Sequence, residues 1–419
     1  FFENLIRVSL RLVLPLSLNP DFAKLLRSQA LVLLLLFSSL RSFGAGSTGS
    51  VTISGTPEVR QTLTVGNTLA DSDGLGAITY QWYRDGIPVR SMLKNGYGSA
   101  LDGLDGAWNV IFSADGKHVY VTGDLDDAVS WYEMNATTGA LIYGGMLKDG
   151  VNGVDGLDGA NGLWISADGK HLYVAGVTDH AVSWYERNAS TGALTYGGML
   201  KDGENGVNFL EGASHVTTSP DGLHAYVTAG VDNAVCWFNR NAGTGALTYV
   251  GKLEEGSGGL DALEGANWVT VSSDGLHAYV TGGSGEDAVS WYTRNAGTGA
   301  LTFGGVLRDG VSGVDGLAGA RQVTLSPDGN YAYVMSEWDH AVSWFSRNVG
   351  TGALTFAGML QDGVNGVDGL SQASGLALSA DGSQALISGN SDDSISWFDR
   401  NVSTGALTYV GFLKDGVNG

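Results

Sequence analysis

The chain of 419 residues has a single cysteine, Cys236, so no internal disulfide can form. Proline is scarce, at 6 residues, which argues against proline-rich disorder. Charged side chains make up 16% of the chain, against the roughly 25% of an ordinary globular domain. Those that are basic number only 22 against 43 acids, a formal net charge of -21. Nucleic acid and anionic membranes need basic surfaces and are excluded as partners. Cations, carbohydrates, other polar small molecules and other proteins remain. No cluster of Cys and His has zinc spacing. No G-x-S-x-G elbow, H-E-x-x-H or P-loop occurs either.

Long hydrophobic runs are also missing. The stretch ALVLLLLF at residues 30–37 is too short to span a bilayer as a helix. Lys24 and Arg27 precede it, and Gly44, Ala45 and Gly46 follow. These flanks give it the build of a signal-peptide core, with a buried helix as the alternative. Residues 1–46 are therefore read as a signal peptide with an upstream segment, and the protein as secreted or displayed on a bacterial cell surface. No methionine precedes Met92, and the chain stops at KDGVNG inside a repeated phrase, which reads as an incomplete frame.

What the sequence does have is glycine, 65 residues, with aromatics at 10% and 11 tryptophans. Glycine turns alternating with aromatic runs predict many short strands. Length alone would allow two or three domains, but self-similarity decides the organisation. Trp131, Trp184, Trp237, Trp291, Trp344 and Trp397 recur at spacings of 53, 53, 54, 53 and 53. Each sits in AVSWY or a variant, usually followed by RNxxTGALTY, GGMLKDG, GVDGLxGA and S-x-DG. In residues 160–203 the runs ANGLWIS, HLYVAG, HAVSWYER and TGALTYGGML predict four antiparallel strands, the last two joined by an Asn/Gly hairpin turn. Four strands with a period near 50 make the blade of a propeller. The predicted fold is all-β: a β-propeller of six complete four-stranded blades over residues 91–419, with the repeated Trp packing between sheets.

SADGKHLYVAG and SPDGLHAYVTA resemble the YVTN-type repeats of the lactonase-like propellers, the 6-phosphogluconolactonase family. The resemblance covers about residues 100–419 and implies a seven-bladed relative and lactone hydrolysis. Residues 51–86 instead resemble the Ig-like repeats of large bacterial surface proteins, with Trp82 as the core Trp. Residues 47–90 are accordingly either a partial Ig-like segment or, through QWYRDGIPVRSML, the third and fourth strands of a partial seventh blade. In the second case, residues 78–95 form a hairpin beside the first blade.

A group present in all six copies is scaffold unless the ring itself binds something. His118, His171, His224 and His277 share one repeat position and read as surface or edge residues. The acids five before each Trp, namely Asp126, Asp179, Asp232, Glu286, Asp339 and Asp392, and those of the LKDG phrase are expected on one rim. There, Asp149, Asn152, Asp155 and Asp158 repeat oxygen donors that could hold Ca²⁺; turn-capping of backbone amides is the alternative. The copies diverge at the entry of the first strand, which lines the channel. Trp108, Asn109, Asn161, Trp164, His215, Asn267, Trp268, Arg321 and Gln322 stand there. Aromatic faces beside amide and guanidinium donors suit a sugar or other polar small molecule; drift after duplication is the alternative. Glu337 and Trp338 also break the repeat. The leading functional reading is an exported binding or adhesion module with its ligand site at the channel mouth, part of a larger surface protein. The alternative is a lactonase-like hydrolase, which could use His215 as base and Arg321 as electrophile near the channel mouth. Cys236 replaces the Ser of AVSW and is expected to pack as a small buried residue.

Overall fold

The computed structural model describes residues 31–37, 51–54, 64–67, 78–84, 87–88, 103–283 and 285–415. Two compact units divide the chain, residues 1–92 with 418–419, and residues 93–417. In the first, Leu31–Phe37 is a strand rather than a helix, and it pairs with Ile78–Arg84. Ile78–Arg84 also forms a hairpin with Ile87–Pro88. Val51–Ser54 pairs separately with Thr64–Asn67. Most of the proposed signal peptide and of the Ig-like stretch, and residues 89–95 of the proposed half blade, lie outside the described residues.

Six four-stranded antiparallel sheets follow in the second unit, each with its strands in chain order. The blades run Ala107–Lys148, Ala160–Lys201, Ala213–Glu254, Ala266–Arg308, Ala320–Gln361 and Ala373–Lys414. Among the described residues the only helical turn is the 3₁₀ segment Ser257–Gly259. The predicted propeller is therefore the observed fold.

Local chemistry explains each blade. In the S-x-DG turn Ser166 Oγ donates to Asp168 Oδ1 at 2.6 Å and accepts from the His171 amide at 3.0 Å. Gly169 takes φ 68° to complete that turn. In the later hairpin Asn188 Oδ1 accepts from the amides of Ser190 and Thr191, at 2.9 and 3.1 Å. The outer strand then bulges: Trp184 pairs with Gly198 but Tyr185 with Tyr196. The extra residue lets the backbone pass under the indole.

Successive blades are joined by apolar clusters. Tyr173, Ala175, Val182 and Trp184 of blade 2 pack on Val216, Ala225, Val227, Cys236 and Phe238 of blade 3. The same arrangement recurs at every junction from blade 1 to blade 6. At the two ends, however, the corresponding faces carry exposed apolar side chains. Val110 of blade 1 is 57% exposed, and Leu386 and Ile395 of blade 6 are 50% and 52% exposed. Their counterparts in blades 3 and 4, Val216, Tyr279 and Val289, are fully buried.

A polar link crosses each junction. Arg240, on the third strand of blade 3, donates from Nε to Tyr173 Oη at 2.7 Å and from Nη1 to the Gly222 carbonyl at 2.9 Å. Its Nη2 donates to His171 Nδ1 at 2.8 Å and to Asp168 Oδ1 at 3.0 Å. Tyr173 Oη in turn donates to the Gly245 carbonyl at 2.9 Å. Arg187, Arg294 and Arg347 repeat the set. Arg400 reaches Tyr333, with Tyr331 where the histidine would be. The repeated histidines are therefore buried, not surface residues as their position suggested. Because they accept from guanidinium groups, their Nδ1 atoms must be unprotonated.

Burial and then the nearby guanidinium hold His118, His171, His224 and His277 below the ordinary histidine pKa. A depressed native pKa means that the unfolded chain takes up protons first on acidification. Stability is then complete above the unfolded value of about 6.5 and falls as pH drops toward the native values. The melting temperature is expected to fall as pH is lowered through 6.5. A variant with all four histidines changed to Gln, the residue at position 384 of blade 6, should show a shallower slope, the remainder coming from His215, which burial also holds below the ordinary value.

Candidate functional site

The inner strands of successive blades lie side by side around the axis, and their first residues meet the loops between second and third strands. This end bears the divergent positions. Arg321 and Trp108, on blades 5 and 1, meet there, with the guanidinium carbon 5.6 Å from the indole centroid. Arg321 Nε also donates to Glu337 Oε2 at 2.7 Å, and Nη2 contacts the same oxygen. Glu337 enters the loop that follows Tyr331–Ser336, which brings it beside the start of the inner strand.

A second group spans blades 2 to 4. His215 stacks on Trp268 with centroids 3.5 Å apart and planes at 16°. Trp164 meets it edge-on at 6.5 Å and donates from Nε1 to Thr218 Oγ1 at 3.2 Å. His215 is 1% exposed, neither ring nitrogen makes a hydrogen bond of good geometry, and the Val269 backbone is a polar neighbour. Burial pushes its pKa down to about 3, so it is neutral in ordinary buffers. A ring so enclosed supports the Trp268 face; it is not open to substrate as a base at the channel mouth would be. No described contact joins His215 to Arg321.

The remaining candidates divide. Gln322 spans blades 5 and 6: Nε2 donates to Thr324 Oγ1 and the Leu376 carbonyl, at 2.8 and 3.0 Å, and Oε1 accepts from the Leu376 amide at 2.9 Å. Its side chain is committed to the scaffold. Asn161 and Asn267 use their carbonyls to accept from Thr122 and Ser214, at 2.7 and 2.8 Å. Asn109 donates its amide to Thr122 at 3.2 Å. All three side chains are partly exposed. Cys236 is fully buried, its thiol pKa pushed up by that burial, with Sγ 3.1 Å from the Phe209 carbonyl oxygen.

The two acid sets do share a rim. Asp149, Asp155 and Asp179 bring oxygen atoms within 4.8 Å of one another, and three other blade junctions repeat the cluster. Asp158 and Asn152, expected in the same donor set, are outside it: Asp158 donates its amide to Asp179 Oδ2 at 2.9 Å, and Asn152 is exposed in a left-handed turn. The carboxylates cap loop amides, as where Asp149 Oδ1 accepts from Leu157 at 3.1 Å and Asp155 Oδ1 from Gly156 at 2.9 Å. The arginine–tyrosine links between blades were not foreseen from the sequence, although the Arg of RNxxTG recurs in five of the six copies, with Met134 in its place in the first.

The fold is a propeller whose divergent inner-strand residues gather at one end of its axis. The chain belongs to the family described as "Lactonase, 7-bladed beta-propeller", which matches residues 93–209 and 283–416. No curated protein matches it. Among solved structures it is similar to a putative 6-phosphogluconolactonase from Bacteroides uniformis, with TM-score 0.61, 18% identity, and 80% of this chain and 92% of that chain covered. A putative 6-phosphogluconolactonase from Bacteroides fragilis gives TM-score 0.60 and 20% identity over 80% and 90%. The periplasmic gluconolactonase of Pseudomonas aeruginosa gives 0.60 and 19% over 80% and 92%. The Ig-like stretch lies outside the family match, which begins at residue 93.

Proposed function

We propose that the protein hydrolyses a sugar-type lactone at the channel mouth. The reading of an adhesion module, favoured by the sequence, gives way to its alternative because the repeats belong to a lactonase family. The observation that carries the proposal is the Trp108–Arg321–Glu337 group on the inner-strand ends of such a propeller. Trp108 and Trp268 offer aromatic faces to the apolar side of a sugar ring. Arg321 donates to the lactone carbonyl oxygen; water adds to the acyl carbon, the ring C–O bond breaks with its oxygen leaving as a hydroxyl that keeps one of the water's protons, and the resulting acid releases a proton to solvent. Glu337 holds the guanidinium in place, and buried His215 fixes the plane of Trp268. A periplasmic relative supports an exported location.

The test is hydrolysis of glucono-δ-lactone, followed by proton release. Arg321→Ala is expected to lower kcat/KM by about a hundredfold or more. Activity equal to wild type in Arg321→Ala would remove the guanidinium from the mechanism.

A further inference from the structure

We propose, resting on the lactone-hydrolase reading, that the site takes an uncharged lactone in preference to a phosphorylated one, and that Glu337 sets this preference. The inner strands AWNVIF, ANGLWI, ASHVTT, ANWVTV, ARQVTL and ASGLAL contain one charged side chain, Arg321, since His215 is neutral. A phosphate dianion needs cations with charge to spare. Arg321 has none, because both its Nε and Nη2 face the Glu337 carboxylate.

The surrounding rim offers no substitute among the described residues. Lys148 pairs with Asp126 at 3.9 Å, Lys201 with Asp179 at 2.9 Å, and Lys414 with Asp392 at 3.2 Å. Arg308 contacts both Asp261 and Glu286, and Lys252 pairs with Glu254 at 2.6 Å. Asp232 and Asp339 add acids whose pKa values are raised, first by burial and further by neighbouring carboxylates. A phosphorylated ligand would approach through this acidic collar and meet a guanidinium already neutralised. Like charges so placed disfavour the wrong ligand more than they favour the right one.

The experiment compares kcat/KM for glucono-δ-lactone and its 6-phosphate at low and high salt. The expected ratio favours the unphosphorylated lactone by about a hundredfold at low salt and narrows as salt screens the rim. Glu337→Gln should narrow it about tenfold by improving turnover of the phosphate ester. A wild-type ratio of one or below overturns the proposed preference. A Glu337→Gln ratio equal to wild type overturns the role of Glu337. If neither lactone is turned over, the hydrolase reading fails separately, and charge preference is read from binding of glucose against glucose 6-phosphate. Tighter binding of glucose supports the preference; tighter binding of the phosphate, or binding of neither, overturns it.

Discussion

Arg240→Ala is expected to destabilise the propeller by about 3–5 kcal/mol, the range seen when one partner of a buried charged network is removed. The side chain of Arg240 is buried, and its loss takes a donor from Tyr173 and His171 of the preceding blade and from the Gly222 carbonyl, all buried. Asp168 is exposed and keeps Ser166 and the Lys170 amide as donors. The ends of the repeat array suggest the compensating change: Met134 stands at the arginine position of blade 1, and Leu386 at the tyrosine position of blade 6. Arg240→Met combined with Tyr173→Leu should therefore cost less than Arg240→Ala, since apolar groups of similar volume need no donors. Denaturant unfolding of the three proteins checks this. An Arg240→Ala midpoint equal to wild type would show that the apolar cluster alone holds the junction.

Gly198→Val is expected to cost about 2–4 kcal/mol through strain and overpacking at one point. Gly198 has φ 142°, and a Cβ there would lie 2.7 Å from Trp184 Cζ2. The indole is pinned in the interface with blade 3 and cannot withdraw. Gly145, Gly305 and Gly358 repeat the contact beneath their own tryptophans. The adjacent Gly197→Val is the informative control: a Cβ there would lie 2.6 Å from Trp184 Cδ1, but its backbone is not left-handed, and Val250 and Val410 occupy that position in blades 3 and 6. It should cost less than Gly198→Val, and thermal unfolding distinguishes them. Equal losses would mean that crowding against the indole, rather than the left-handed backbone of Gly198, is the constraint.

Much of this was legible because repetition separates scaffold from exception. The 53-residue Trp spacing and the strand alternation gave the six complete blades, their strand order and the hairpin positions, and left a partial seventh blade open. The shared acidic rim followed from strand direction. The burial of His171 was not legible, since its stabilising partner Arg240 lies 69 residues away on the next blade and local pattern cannot reveal such a pairing. His215 and Arg321 were both singled out as departures from the repeat. Their different fates, one enclosed between tryptophans and one ion-paired at the mouth, depend on which neighbours the ring brings against them. Gln322 looked like a free donor for the same reason until its contacts with Leu376 engaged both ends of the amide.

The links between blades have a direction: every arginine points back to the sheet before it, so the contact is head-to-tail. Contacts of that kind propagate indefinitely when exposed ends match, and they build fibres as readily as rings. Here the ends do not match. Met134 offers no guanidinium, and Gln384 and Leu386 offer neither imidazole nor phenol. The arginine link that joins the other blades therefore cannot join the sixth of these blades to the first, within one molecule or between two copies.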